Sequence, residues 1–183
     1  AYPEQYEVWL IDVDNLRYES TTQDAVFTPG YGAPELVRNS SGVSTLTDAY
    51  AFAVIAYQVL ALAHPFIGDM VDQGEPELEE QAHAGNLPWI DDPDDDRNRA
   101  SFGVPRGWIL SPGLARIFGR AFGAGRGDAT QRPGVGEWAD RLYAAAHSAI
   151  ECRGCGGTFF FNQPTCPWCK QGRPNFATAL FHL

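Results

Sequence analysis

One stretch of the sequence, residues 48–62, restricts the fold more than any other, because it has a helical pattern but no polar face. Thr47 is a suitable N-cap for a helix from Asp48 to Leu62, and His64-Pro65 is expected to end it. Large apolar side chains lie on all sides of this helix: Tyr50, Phe52, Val54, Ile55, Tyr57, Val59 and Leu60. Such a helix is normally buried inside a larger body. We therefore expect a mainly α-helical domain built around it.

Further helices are expected after this central one. A polar helix is predicted over residues 75–84, and Ser111-Pro112 supplies a cap residue and a first-turn proline for a helix that reaches about Phe122. A last helix is predicted over residues 135–150, where Glu137 and Arg141 are spaced to form an i,i+4 ion pair.

Two polar segments lie between these helices. The acidic run 91–96 is expected to be a solvated surface loop, since it lacks the spacing of an EF-hand. The glycine-rich residues 123–127 are expected to connect two helices, because neither a preceding strand nor a following Lys-Ser or Lys-Thr supports a phosphate loop.

The net charge and the distribution of the cysteines limit the partners and the location that the chain is expected to have. The net charge is -10 over 183 residues, which argues against a nucleic acid or an anionic membrane as partner. The longest uncharged stretch, Ala49 to Ala63, is shorter than the roughly 20 residues of a membrane span. All four cysteines fall between Cys152 and Cys169, a distribution that suits a reducing cytoplasm. We expect a cytoplasmic location.

The four cysteines form two Cys-x-x-Cys pairs separated by ten residues. The first pair is Cys152 and Cys155, and the second is Cys166 and Cys169. Two tight turns that each present two sulfurs suit a tetrahedral metal, so a structural Zn²⁺ is expected, with rubredoxin-like iron as a competitor. Disulfides and free thiols are the remaining alternatives.

The cysteines define a second, smaller domain over residues 151–183, after a larger one over residues 1–150. The small domain has more aromatic rings than its own core can hold: Phe159, Phe160, Phe161, Trp168, Phe176 and Phe181. Some of them are therefore expected to pack on the larger domain, and a docking surface for a partner is the alternative.

Four further motifs occur in a characteristic order. The apolar run 8–11 suits a buried strand and leads into Asp12-Val13-Asp14. Thr28-Pro29-Gly30-Tyr31-Gly32-Ala33-Pro34-Glu35 follows, then Thr47-Asp48-Ala49-Tyr50 with His64-Pro65-Phe66, and finally Asp128 to Pro133. Together they resemble the C-terminal (large) lobe of a Ser/Thr protein kinase, from its metal-binding Asp to its final helix. The family's N-terminal lobe, Gly-rich loop and catalytic base have no counterpart in these residues.

The resemblance implies a role for each matching residue. Asp12 would ligate the Mg²⁺ that bridges the ATP phosphates. Thr28 would support the acceptor site beside the catalytic base. Glu35 would form a buried ion pair with Arg132, and Asp48 would brace the backbone of the catalytic loop.

The sequence departs from the kinase pattern at two positions. The family's Asp-Phe-Gly is here Asp12-Val13-Asp14, and Asp14 is either a second Mg²⁺ ligand or a solvated turn residue. The pattern is similar to that of divergent bacterial kinase-like proteins of the tellurite-resistance-operon type, which often carry a C-terminal zinc ribbon. Ser20, Thr21 and Thr22 are either phosphosites or ordinary loop residues.

Two functions follow from the resemblance. The first is the C-terminal portion of a bacterial Ser/Thr kinase that transfers the ATP γ-phosphate to protein Ser or Thr and is inactive as this chain alone. The second is a non-catalytic kinase-like scaffold whose zinc ribbon binds partner proteins. The expected partners are the N-terminal lobe, in cis or as a separate chain, and a protein substrate or operon partner.

Overall fold

The structure, a computed structural model, describes residues 18–19 and 26–175. These residues are mainly helical, with a small two-stranded sheet near the C-terminal end. The α-helices are α1 (Pro34–Val37), α2 (Thr45–Ala61), α3 (Asp69–Asp72), α4 (Pro76–His83), α5 (Arg106–Ile109), α6 (Pro112–Gly119), α7 (Gly125–Gly127) and α8 (Val135–His147). A π-helical turn (Arg120–Ala124) joins α6 to α7, and a 3-10 turn (Ala129–Gln131) precedes α8. The strands are β1 (Ala149–Glu151) and β2 (Thr158–Phe160).

The central helix α2 begins earlier than the sequence predicted. Its N-cap is Ser44, not Thr47, because the two side chains form a reciprocal capping box. The Thr47 hydroxyl oxygen accepts the Ser44 N–H at 2.9 Å, and Ser44 Oγ accepts the Thr47 N–H at 3.4 Å. The helix ends where Leu62 adopts a left-handed conformation with φ 53°.

Only one side of α2 is buried. Tyr50, Val54 and Tyr57 lie in the core, where Tyr57 makes edge contacts with Phe118 and Phe122. Three apolar residues on the other side are solvent-exposed: Ile55 by 48%, Val59 by 70% and Leu62 by 71%. The expectation of burial on every side is therefore wrong for this exposed stripe, which we define as Ile55, Val59 and Leu62.

The helix that Ser111 opens continues past its predicted end. Ser111 Oγ accepts the Leu114 N–H at 3.2 Å, as expected of a cap. The chain then stays helical through the π-turn and α7, so residues 123–127 are not a connecting loop. The connection to α8 is instead the 3-10 turn, which Asp128 caps through Thr130.

The last helix is shorter than predicted. It ends at His147, and Ile150 belongs to β1, which pairs antiparallel with β2 so that Ile150 lies opposite Phe159. This non-local pairing overrides the local helical pattern. Glu137 pairs with Arg120 at 2.8 Å instead of with Arg141. The polar helix α4 lies within its predicted range, one residue shorter at each end.

The acidic loop is only partly a solvated surface. Asp94 and Asp96 are exposed, but Asp91 accepts hydrogen bonds from the buried Tyr57 hydroxyl and from Arg106 Nε. Among the described residues, no helix is both long and apolar enough to cross a membrane.

Candidate functional site

The segment from Thr28 to Glu35 forms a tight turn that leads into α1. The Tyr31 N–H donates to the Thr28 carbonyl oxygen at 3.0 Å, with Pro29 and Gly30 at the centre of the turn. Gly30 has φ 85°, a conformation that glycine adopts without steric cost. Pro34 then occupies the first turn of α1, where its missing N–H costs no hydrogen bond. The side chain of Thr28 is exposed.

His64 fixes this turn to the end of α2. The Phe66 N–H donates to His64 Nδ1 at 3.2 Å, so the ring proton is on Nε2, which donates to the Gly30 carbonyl oxygen at 2.9 Å. Burial, aided by the neighbouring His83, whose ring centroid is 5.3 Å away, lowers the pKa of His64 to about 4 although the hydrogen bond to Gly30 opposes this shift. The imidazole is therefore neutral at pH 7.

Glu35 and Arg132 form the ion pair that the sequence predicted between positions 97 residues apart. Arg132 Nη1 and Nη2 donate to the two Glu35 carboxylate oxygens, each at 2.7 Å. The Arg132 residue is 5% exposed and the Glu35 side chain 16%. Burial alone would raise the pKa of Glu35, but the Arg132 hydrogen bonds and charge and the Arg38 charge outweigh it and lower the pKa.

Each of the three nitrogens of the Arg132 guanidinium has a hydrogen-bond partner. Besides Glu35, Nε donates to the Gly125 carbonyl oxygen at 2.8 Å and Nη1 to the Leu46 carbonyl oxygen at 3.0 Å. The guanidinium carbon lies 4.9 Å from the centre of the Tyr50 ring. The side chain thus connects α1, the start of α2 and α7.

Among the described residues, neither Thr28 nor Asp48, which the kinase resemblance also singled out, has a hydrogen bond or ion pair with Glu35 or Arg132. Asp48 lies in the first turn of α2 with its side chain exposed. Asp12, Val13 and Asp14 lie outside the described residues, as do Ser20, Thr21 and Thr22. Their expected roles therefore stay predictions.

Two polar clusters were missed by reasoning from the sequence. In the first, Arg106 Nε donates to the Tyr57 hydroxyl at 2.8 Å and to Asp91 Oδ2 at 3.1 Å. In the second, the fully buried Asn98 donates to the carbonyl oxygens of Phe66 and Pro88, both at 2.9 Å, and accepts the Gly68 N–H at 3.1 Å. No local motif predicts either cluster, because each joins segments that are distant in the sequence.

The four cysteines lie together in one cluster, and their sulfur atoms are all within 4.8 Å of one another. The Sγ atoms of Cys152 and Cys169 are 3.5 Å apart, and those of Cys155 and Cys166 are 3.7 Å apart. These separations exceed a disulfide bond of about 2.05 Å. They are close to the roughly 3.8 Å between sulfurs that each lie about 2.3 Å from a tetrahedral Zn²⁺. The cluster could therefore hold a metal ion such as zinc.

The two Cys-x-x-Cys turns have the same backbone hydrogen bonds. The Gly156 N–H donates to the Cys152 carbonyl oxygen at 2.8 Å, and the Lys170 N–H donates to the Cys166 carbonyl oxygen at 2.9 Å. Gly156 and Lys170 both have positive φ, 72° and 66°. The N–H groups of Gly154 and Cys155 lower the pKa of the Cys152 thiol, whereas burial and the neighbouring sulfurs raise the pKa of Cys155. The sulfurs are therefore close enough to influence one another's ionisation.

The cysteine module packs on the helical body, as expected of its surplus aromatic rings. Trp168 makes an edge contact with Trp108 of α5, with ring centroids 5.3 Å apart, and Lys170 Nζ lies 5.0 Å from the Trp108 ring centre. Gln163 Nε2 donates to the Gly107 carbonyl oxygen at 2.8 Å, and Phe160 packs against the main core.

Comparison with known proteins adds no family to these observations. No protein-family model matches the chain, and a search of curated proteins also returned no match.

Proposed function

We propose that the chain is the C-terminal portion of a Ser/Thr protein kinase, which transfers the γ-phosphate of ATP to Ser or Thr of a protein substrate. The observation that carries this proposal is the bidentate Glu35–Arg132 pair. It joins the end of the Thr28–Glu35 segment to the Asp128–Pro133 motif, as the resemblance of these two motifs to those of kinases implies. A chance similarity of short motifs would not require this contact.

The exposed stripe of α2 supports the same proposal. Three large apolar side chains at helical spacing face solvent on the helix that organises the core. Burying them against another segment would be favourable. In the proposed kinase that segment belongs to the part that carries the catalytic base, in cis or as a separate chain.

In this proposal the chain supplies one group for the chemistry and several supports. Asp12 would hold Mg²⁺, which neutralises charge on the transferred phosphoryl group when it is bound. Thr28 and Asp48, both exposed, would face the acceptor site and the catalytic loop. The chain alone lacks the base and most of the ATP site, so it should not transfer phosphate.

The cysteine cluster is proposed to hold a structural Zn²⁺. All four ligands are sulfurs, which leaves no open position for a catalytic water. The metal would fix the β1–β2 hairpin and the second Cys-x-x-Cys turn, which share only a small core of Ile150, Cys152, Phe159 and Cys166.

The kinase proposal is tested by labelling the complete protein, including its N-terminal lobe, with radioactive ATP. Asp12→Ala should abolish Mg²⁺-dependent phosphate transfer, whereas Asp94→Ala, in the exposed acidic loop, should leave it unchanged. Undiminished labelling of the Asp12→Ala protein would refute the assignment. Denaturing intact-mass analysis of the purified sample shows beforehand whether a second polypeptide accompanies this chain.

A non-catalytic scaffold is the second candidate, and one observation favours it. Cys155, Cys169 and Trp168 remain exposed although the module packs on α5, so the metal-binding turns offer a surface to a partner protein. The scaffold function predicts that neither the wild type nor the Asp12→Ala protein is labelled with phosphate. It also predicts that the Asp12→Ala protein still binds the partner.

A further inference from the structure

A cavity of about 360 Å³ opens beside the Glu35–Arg132 pair, on the side formed by the α1–α2 loop. Its walls include Arg38, Ser40 and Ser41 from that loop, Ser44 and Leu46 from the start of α2, and Arg126 from α7. The volume lies within the range typical of small-ligand sites. None of the proposed kinase roles uses this cavity.

The cavity is positively charged in a chain whose net charge is -10. Arg38, Arg126 and Arg132 line it, and Glu35 is its one acidic lining residue. Arg38 and Arg126 form no ion pair within the described residues, although the Arg38 charge acts on Glu35, which is paired with Arg132, and the Arg126 charge acts on Asp95. Arg126 Nη1 also donates to the Leu87 carbonyl oxygen. Three arginines and one carboxylate still give the lining a net positive charge. Asp128, which the Arg132 charge also influences, has its carboxylate engaged by Thr130 and Gln131.

The cavity also contains hydrogen-bond donors that have no acceptor in the described part of the chain. Within the described chain, the Arg38 guanidinium makes one hydrogen bond, from Nε to the Pro34 carbonyl oxygen at 3.1 Å. In the first turn of α2, the N–H of Thr47 is taken by Ser44 and that of Thr45 by a Glu19 carboxylate oxygen at 3.1 Å. A carboxylate of this chain thus already caps part of the helix start, and the Leu46 N–H beside it has no acceptor in the described part of the chain.

We propose that this cavity binds a phosphate monoester. A lining with net positive charge and two guanidinium groups outside any ion pair matches a doubly charged phosphate better than a single carboxylate, and planar guanidinium groups bind phosphate oxygens in pairs. Three serine hydroxyls and a helix-start N–H can satisfy the remaining oxygens. Free inorganic phosphate and a phosphoserine side chain share this chemistry.

The test is a ¹⁵N NMR titration of the zinc-loaded chain at ionic strength held constant with NaCl. Inorganic phosphate and N-acetyl-O-phosphoserine methylamide are added separately, with unphosphorylated N-acetylserine methylamide as the blank. We expect saturable shifts of the amides of Ser40, Ser41, Ser44 and Leu46. Tighter binding of the phosphoserine compound identifies a modified protein as the source, whereas equal binding identifies free phosphate.

Two variants and a control decide the outcome. Arg38→Gln removes an exposed charge, and loss of this charge-assisted contact should weaken binding about tenfold or more. Ser41→Asp should abolish binding because it adds a negative charge to the cavity. Arg116→Gln, at an exposed arginine of α6 outside the cavity, should bind as wild type does. No saturable shifts, or equal affinity in all variants, would overturn the proposal. The titration involves no ATP, so its failure leaves the kinase proposal untouched.

Discussion

At the scale of single residues, Arg132 has the largest structural role. Its guanidinium is nearly inaccessible to solvent, and it bonds Glu35 and the carbonyl oxygens of Leu46 and Gly125. A buried pair of this kind gives little net gain over apolar residues, but removing one partner leaves the other charge buried and unpaired.

We predict that Arg132→Met lowers the free energy of unfolding by about 3–5 kcal/mol. The matched control is Arg120→Met, because the side chains of the Arg120–Glu137 pair, 2.8 Å apart, are 42% and 34% exposed and its loss should cost about 0–1 kcal/mol. Urea unfolding followed by circular dichroism measures both. Similar losses in the two variants would mean that burial does not distinguish the pairs.

His64 should make stability depend on pH. Its pKa is lowered to about 4 in the folded chain, against about 6.5 when unfolded, so the unfolded state takes up the proton first. The neutral His64 side chain contributes fully to the free energy of unfolding above pH 6.5. This contribution, about 1–3 kcal/mol, is lost as the pH falls through 4. The lowered pKa values of His83 and Glu35 act in the same direction.

The variant His64→Gln isolates this effect, since glutamine can still donate to the Gly30 carbonyl oxygen without titrating. We expect its free energy of unfolding to fall less between pH 7 and pH 4.5 than that of the wild type, in urea titrations at each pH. Parallel curves would show that His64 does not contribute.

At the scale of elements, the end of α2 carries avoidable strain. Leu62 is left-handed and exposed, whereas Val59, three residues earlier, is equally exposed but lies inside the helix. A leucine at positive φ is strained, and glycine is the usual residue at such a helix end.

We therefore predict opposite effects of the same substitution at these two sites. Leu62→Gly should raise the free energy of unfolding by up to about 1 kcal/mol, and Val59→Gly should lower it by about 0.5–1 kcal/mol. Thermal unfolding monitors both changes. A loss of stability in both variants would indicate that the Leu62 side chain, not its backbone, determines the energy.

The cysteine module should depend on its metal. A two-stranded hairpin is marginally stable by itself, so removing a bound Zn²⁺ should unfold residues 149–172. A strong zinc chelator is expected to change Trp168 fluorescence, through loss of its contact with Trp108, while the helical circular dichroism signal stays. Simultaneous loss of the helical signal would show that the module is required by the main core.

At the scale of the whole molecule, the sequence predicted the elements better than their ends. The main helices α2, α4, α6 and α8 follow from periodicity and caps, and the Glu35–Arg132 contact is what the resemblance to kinases implies. The end of α8 could not be predicted from the local sequence, because strand pairing with residues 158–160 determines it. The position of Asp91 could not be predicted either, because a hydrogen bond from Tyr57 determines it. Asn98 was missed because two of its partners, Gly68 and Phe66, lie 30 and 32 residues earlier in the sequence.

The long separation between Glu35 and Arg132 has a consequence for synthesis on the ribosome. At about 5–20 residues per second, roughly 5–20 seconds pass between the addition of Glu35 and that of Arg132. During this interval the Glu35 carboxylate and the start of α2 lack the Arg132 side chain that connects them. A nascent chain stalled before residue 132 should therefore expose the α1–α2 region to proteases and chaperones, and resist them once the arginine has left the exit tunnel.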